Sequence, residues 1–596
     1  MENRRVKKFR ETSSMGTGRG RKVGVALVLV ASVLTTNAKA APPPDAPTVY
    51  AFGDAPSLKG PPADAAIVGA AATPTRQGLV IATADGAVYA AGDAADKGSM
   101  AGQHLNRPIV AVAATPTGNG YWLAATDGGI FTFGDAPYLG STGNIRLNQP
   151  IVGMAATATG KGYWLVASDG GIFTFGDAAF LGSTGDRHLN QPVVGMAATK
   201  TGGGYWLVAR DGGIFTFGDA AYLGSTGDRR LNQPVVGMAA TTPAGGGYWL
   251  LARDGGVFTF GDARFQGSAA DRMPQGLQAV AIANGGASDG YFVVAADATA
   301  TLAFAGDVHG EGPVRDLLER GENPLAAMAD RLQAADLVAV NLETPVAHPG
   351  TGTPQSKQYV FLAGTELLDA LVRSGVDIVN LANNHALDHG PEALLETIDH
   401  ARQAGLTPVG AGANAAEAYR PAYFRVRSRT IAVLGLSRVV PPGWAATATK
   451  PGVASAYDER TAMQAIRNAK AQADDVVVIV HWGVELARCP GDDIVGLAHR
   501  LHQAGASIVA GHHPHVLQGI SNGDEGVTAY SLGNFVWYHD EPPTNETGVL
   551  EVELGLEGRP RPTFLPARVG GDGRTRFLAG AEADAARSRV GPACAG

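Results

Sequence analysis

Two cysteines in 596 residues leave little scope for thiol chemistry. A disulfide-built scaffold and a thiolate metal cluster are both excluded by that count. Cys489 and Cys594 could bridge, but their spacing does not decide whether they pair. Charge is scarce too: Asp, Glu, Lys and Arg make up 17% of the chain, with a net charge of −8. The first 40 residues hold nine Lys/Arg against two Asp/Glu, so the rest carries −15. An acidic chain of this kind excludes nucleic acid and anionic lipid surfaces as electrostatic partners. After residue 40 no apolar run is long enough to span a bilayer. Helix-length periodic segments are missing from roughly the first half. With 81 glycines and 45% hydrophobic residues, that half reads as short strands and tight turns, not as disorder.

What is present begins with a basic N-terminus, MENRRVKKFR…RGRK, followed by the apolar run 23–36 and the small-x-small site Ala38-Lys39-Ala40. This is the pattern of an export signal. Fourteen residues rise ~21 Å as a helix, short of the ~30 Å hydrocarbon core. Residues 1–40 are therefore read as a signal peptide and 41–47 as a linker. The chain is expected to be extracytoplasmic, either secreted or at the cell surface. An uncleaved segment holding it at the membrane is the alternative.

Residues 48–298 form an internal repeat. Tyr121-Trp122, Tyr163-Trp164, Tyr205-Trp206 and Tyr248-Trp249 recur every 42 or 43 residues, and Leu79 and Tyr291 extend the series. Each unit reads like PVVGMAATKTGGGYWLVARDGGIFTFGDAAYLGSTGDRRLNQ (192–233), short apolar runs parted by Asp-Gly and Gly-rich turns. A β repeat of this length matches a propeller blade, usually four-stranded. Five units are complete. A sixth, near 278, lacks its Phe-Gly-Asp portion, which TVYAFGDAPSLKG (48–60) supplies from the other end. Joining the two predicts a closed ring of six blades, seven being the alternative count, with no exposed sheet edge. The repeated Trp is read as core, with a carbohydrate-stacking surface the other reading. The Asp after Phe-Gly is read as a turn former.

From 299 to about 585 the texture changes to alternating helix-period and strand-period segments, an α/β layered domain, and 586–596 is a tail. Polar residues gather where its strands end. Asp307 and His309 follow LAFAG, and Glu343 follows DLVAVNL. Asn384 and His385 follow VDIVNLAN, His481 follows DVVVIV, and His512, His513 and His515 follow ASIVAG. Sites in α/β sheets form at such ends. Carboxylates, imidazoles and an amide together suit a two-metal hydrolase, and N/O donors without thiolate suit Mn, Fe or Zn.

Asp307-x-His309, Glu343, Asn384-His385, His481 and His513-Pro-His515 resemble the ordered motifs of calcineurin-like metallophosphoesterases. More narrowly, NLETP, LANNHALDHG, HWGVE, GHHPHVLQG and YSLGNFVW resemble the CapA/PgsA family of poly-γ-glutamate capsule proteins. The likeness covers about 301–540 and leaves the repeat out. It implies that Asp307, His309 and His515 hold one divalent ion and Asn384, His481 and His513 a second, with Glu343 bridging. It also implies that His385 acts on the leaving group with Asp388 as its partner. His512 and Glu485 are outer-shell candidates. Glu343 departs from the wider superfamily, which usually has Asp there, and Leu486 stands where an aromatic is expected.

The expected function is an exported dimetal hydrolase of phosphoesterase type in capsule or cell-surface polymer synthesis. Its partner would be the polymer or its precursor, with a glycan or protein partner for the repeat domain. Poly-γ-glutamate has no phosphorus, so an acyl phosphate or a metal-polarised amide must join chemistry to pathway. The alternative is a non-enzymatic surface scaffold with a structural metal site.

Overall fold

Alternation of apolar residues with Gly and Asp-Gly turns dictates small antiparallel sheets, and six of three strands each follow one another along the first half. The structure is a computed structural model that describes residues 46–590 except 104, 106, 146, 188, 242–245, 275, 428 and 556–558. The expected signal peptide, Cys594 and the end of the tail lie outside the described residues.

Within each unit the central strand is the Gly-Tyr-Trp segment, for example Gly204–Ala209, between Val193–Ala198 and Ile214–Gly218. The first strands of successive sheets pack on one another in chain order, and the last, Leu277–Gly285, returns to the first, Ile67–Ala72. The N-terminal strand Val49–Phe52 pairs antiparallel with Gly290–Asp297, placing Val49 opposite Val294 and Phe52 opposite Tyr291. The terminal segment thus completes the last sheet.

Side chains bind the sheets together. The Trp side chains are buried, and each indole donates to a carbonyl fifteen residues on, as Trp164 does to Ala179 at 2.8 Å. Each Trp also packs on the Tyr of the next unit, with Trp164 and Tyr205 centroids 5.8 Å apart. That burial removes the Trp series as a stacking surface for sugars. The repeated Asp does more than turn the chain. Asp135 accepts from Thr115 at 2.9 Å and from Thr117 at 2.5 Å, clamping the far end of its own unit.

Three strands form where four are usual for a blade of this length. The fourth run, such as AYLGS (221–225), is not a strand. Its backbone groups are satisfied by a side chain instead: the Tyr248 hydroxyl donates to the Gly224 carbonyl at 2.6 Å and lies 3.3 Å from Leu223 N.

The α/β half begins at the strand Ala300–Val308. Parallel pairing of this strand with Leu337–Leu342, then Ile378–Asn380, then Thr407–Val409 builds one mixed sheet, extended antiparallel by Glu546–Leu554 and Arg561–Val569. Arg429–Ser437, Asp475–His481 and Ile508–His512 form the parallel centre of a second. Leu302, Phe304 and Ile378 of the first sheet share a core with Val433, Val477 and Ile479 of the second, so the two stack face to face. Apolar faces of the helices Glu366–Arg373 and Gly390–Gln403 cover the first sheet, and Glu459–Gln472 and Asp492–Ala504 cover the second. After 313 the chain forms two short helices, Pro313–Glu319 and Ala329–Gln333. Among the described residues no helix is long and apolar enough to cross a membrane.

Candidate metal centre

Parallel strands deliver their carboxyl ends side by side, so residues distant in sequence meet there. Asp307 lies opposite Asn341 in the first sheet, and Ser437, His481 and His512 lie in line in the second. Glu343 and His513 each follow such an end directly, and Asn384 lies four residues past the end at Asn380. Gly306-Asp307 differs from the Gly-Asp pairs of the repeat. Repeat glycines such as Gly176 are left-handed, with φ 66°. Gly306 sits inside a strand, and a Cβ there would lie 1.9 Å from the Gly533 carbonyl oxygen. Only glycine lets the LGNF segment approach closely enough for Asp307 N to donate to Gly533 O at 2.9 Å.

Two donor groups converge at these ends: Asp307, Glu343 and His481, and Glu343, His513 and His515. Glu343 belongs to both. Its Oε1 is 3.3 Å from His481 Nε2 and 3.9 Å from His515 Nε2. The Asn384 amide oxygen is 2.7 Å from His481 Nε2. His515 Nδ1 lies 3.4 Å from Asp307, and His512 Nδ1 lies 3.2 Å from it. These groupings cross the partition that the resemblance implies, because His481 falls with Asp307 and His513 with His515. His309 is buried but belongs to neither group, its ring 3.9 Å from Trp537 and 5.0 Å from Phe361. Glu485 is solvent-exposed and does not join the cluster. Leu486 is 60% exposed, and the aromatic wall comes from Phe361 and Trp537 instead.

The donor set fits divalent ions. Glu343 Oε1, His309 Nε2 and His513 Nδ1 are buried without a hydrogen-bond partner, a costly state unless something else binds them. His513 and His515 also hold left-handed backbone, φ 96° and 57°, strain of the kind found at functional sites. Burial and the neighbouring Asp307 charge push Glu343 up to about 8. Burial alone would lower His515, but Glu343 and Asp307 outweigh it and lift the imidazole to about 9. Burial raises Asp307 as well, yet its contacts with His512 and His515 hold it well below the usual carboxylate range. Burial keeps His309 and His481 far below the ordinary imidazole value, and takes His513 down to about 2. Neutral imidazoles beside crowded carboxylates are what a cation needs, since it replaces the protons shared among them.

Beside this shell stands His385. Its Nδ1 is 2.8 Å from Asp388 Oδ2, and Phe361 stacks on the ring at 4.2 Å. Sequence reasoning missed Lys357, whose ammonium is 2.5 Å from Asp388 Oδ1, 3.1 Å from His385 Nδ1 and 2.7 Å from the Asn384 carbonyl. It sits in a loop without a motif, so no local signal marked it. Asn341 was missed as well, although it belongs to NLETP. It donates to Asp307 at 2.8 Å and is held by Asn380, whose amide donates to its oxygen at 2.9 Å.

Residues 301–539 match the family model described as bacterial capsule synthesis protein PGA_cap. The chain is 33% identical over 274 residues to the PGA biosynthesis protein CapA of Bacillus subtilis (strain 168), covering 46% of this chain and 72% of that relative. It is 31% identical over 265 residues to the capsule biosynthesis protein CapA of Bacillus anthracis, covering 43% and 64%. A probable polyglutamine synthesis accessory protein of Mycobacterium tuberculosis is 32% identical over 233 residues, covering 37% and 60%. The chain thus spans less than two thirds of the latter two relatives.

Proposed function

The chain belongs to the CapA family of capsule synthesis proteins, and from that premise we propose that it is an exported dimetal hydrolase acting in the synthesis of poly-γ-glutamate or a related cell-surface polymer. The observation that carries the enzymatic reading is a set of buried atoms without a hydrogen bond, Glu343 Oε1, His309 Nε2 and His513 Nδ1, on residues at or just past strand ends of both sheets.

Asp307, His309, Glu343, Asn384, His481, His513 and His515 would hold two divalent ions of the Mn, Fe or Zn class, with Glu343 shared between them. Such ions, when bound, supply Lewis acidity that activates water and offsets charge on the attacking and leaving oxygens. The chain's own part is orientation and proton transfer. Asn341 fixes the Asp307 carboxylate, and Phe361 and Trp537 wall the site. Asp388 and Lys357 offer His385 Nδ1 both an acceptor and a donor, so the ring keeps its place whichever nitrogen carries the proton. Nε2 is then the nitrogen left to protonate a leaving oxygen. The substrate class this favours is a phosphoryl ester or an acyl phosphate on the route to the polymer. A screen of a phosphodiester, an acyl phosphate and a γ-glutamyl amide tests it. Turnover of the amide alone would overturn the phosphoryl assignment.

A second reading concerns the repeat half, which we take to be a six-bladed propeller that binds a polymer. Tyr138, Phe180, Tyr222 and Phe265 are 59–62% exposed and recur at the same position of successive units. A large aromatic left in water at one repeated position is not explained by folding. A row of isolated rings suits a ligand of repeating rings, such as a glycan.

A further inference from the structure

The second cluster of buried charge lies at the other end of the sheet. Repeats and α/β half belong to one compact unit, and between them is a cavity of about 330 Å³ lined by Arg210, Arg253, Gln278, Arg429, Lys470 and Asp474, among others. Asp474 immediately precedes the strand Asp475–His481, whose far end carries His481. Seven residues at ~3.3 Å each put the cavity about 20 Å from the metal centre.

The repeat makes the two arginines conspicuous. The residue before the Asp-Gly turn is Ala84, Thr126 and Ser168 in the first three units, and Arg210 and Arg253 in the fourth and fifth. The repeat itself therefore does not require arginine there. Arg210 and Arg253 both reach Asp474 Oδ1, while Asp474 Oδ2 accepts from Thr430 N at 2.8 Å. Lys470 Nζ donates to the Asp474 carbonyl at 2.6 Å. Arg429 spends its charge on Asp475, at 2.9 and 2.5 Å. Arg425 stands next to the cluster, its guanidinium donating to the Thr430 hydroxyl at 3.3 Å, on the residue whose N–H binds Asp474.

Five cationic side chains thus gather around two carboxylates. A net excess of about three charges in a domain seam is costly unless an anion balances it. Burial disfavours the charged form of several of these groups. Burial pushes Arg425 down to about 10 and lowers Arg253 and Lys470 as well. Arg253 Nε is buried and makes no hydrogen bond.

We propose that this seam cavity binds the phosphate group of a small phosphorylated molecule. A single carboxylate cannot balance the excess, whereas a dianionic phosphate removes most of it and accepts guanidinium forks bidentately. At ~30 Å³ per water the cavity holds about ten waters' volume, room for more than the phosphate alone. Domain seams are where such ligands sit. Bound there, the molecule would tie the repeat half to the α/β half.

Calorimetric titration of the full-length protein with inorganic phosphate and with pyrophosphate, at ionic strength fixed with sodium chloride, tests this. One saturable site per chain is expected. It should persist in Glu343→Gln and after chelation, which separates it from phosphate held at the metal centre. Arg253→Gln should weaken it at least tenfold. Asp474→Asn, which removes the internal competitor while leaving an acceptor for Thr430, should tighten it several-fold, and this arm stands if Arg253→Gln fails to fold. No saturable binding, loss of binding in Glu343→Gln, or unchanged or weaker binding in Asp474→Asn would overturn the proposal. So would Arg253-dependent binding of a glutamate oligomer in place of phosphate.

Discussion

Asp388 Oδ2 lies 2.8 Å from His385 Nδ1, and the same carboxylate accepts from Phe361 N at 2.7 Å. One buried carboxylate therefore fixes both the imidazole and the aromatic ring stacked upon it. His385 is not a member of the donor groups that share Glu343.

His385→Asn should keep the metal content of the wild type. Turnover of a substrate with a poor leaving group should fall by about 10²–10⁴, a barrier of roughly 3–5 kcal/mol. An activated nitrophenyl ester, which needs little protonation, should be spared. Loss of metal, or equal damage to both substrates, would contradict the role. Lys357→Met, which leaves Asp388 unbalanced, should shift the pH profile of turnover without changing metal content.

The last sheet of the repeat is completed by Val49–Phe52. Phe52 is buried, packs at a tilt on Tyr291 with centroids 5.4 Å apart and lies under Arg272 at 4.9 Å. Phe52→Ala should cost about 3–4 kcal/mol by thermal or denaturant unfolding. A change below about 1 kcal/mol would mean that the N-terminal strand does not close the repeat.

The exposed aromatics predict the opposite pattern. Tyr138, Phe180, Tyr222 and Phe265 changed to Ala should each alter stability by no more than about 0.5 kcal/mol. All four together should abolish retention on a cell-wall glycan column. Unchanged retention in the quadruple variant would remove the second reading.

Asp377 supplies a pH test away from any metal. Its carboxylate accepts from Val338 N at 2.8 Å, yet burial raises its pKa to about 6. A carboxyl whose folded value lies above its unfolded value of ~3.9 loses stability as pH rises between the two. Asp377→Asn should therefore match the wild type below pH 4 and exceed it by about 3 kcal/mol at pH 7. No pH dependence in that difference would contradict the assignment.

Much of this molecule is legible in its sequence because it is written twice over. The repeat period exposes each strand, and the split unit exposes the pairing of Val49–Phe52 with Gly290–Asp297. Asp307, Glu343, His481 and His513 are legible because strand ends are the only places where their motifs can meet. Three things were not legible. The AYLGS run carries a strand-like pattern, but its hydrogen bonds go to the next unit's Tyr. Lys357 reaches Asp388 across a loop whose path no periodicity encodes. The seam charges come from Arg210 and Arg253, which look like ordinary variation within a repeat until Asp474 is placed opposite them.

The central claim is that residues brought to the strand ends hold two metal ions through a shared Glu343. Elemental analysis of the purified full-length protein tests it most directly, alongside Glu343→Gln and His385→Asn. The account predicts two divalent ions per chain in the wild type and in His385→Asn, and the loss of at least one in Glu343→Gln. A wild-type protein without stoichiometric metal, or a Glu343→Gln variant that keeps both ions, would contradict it.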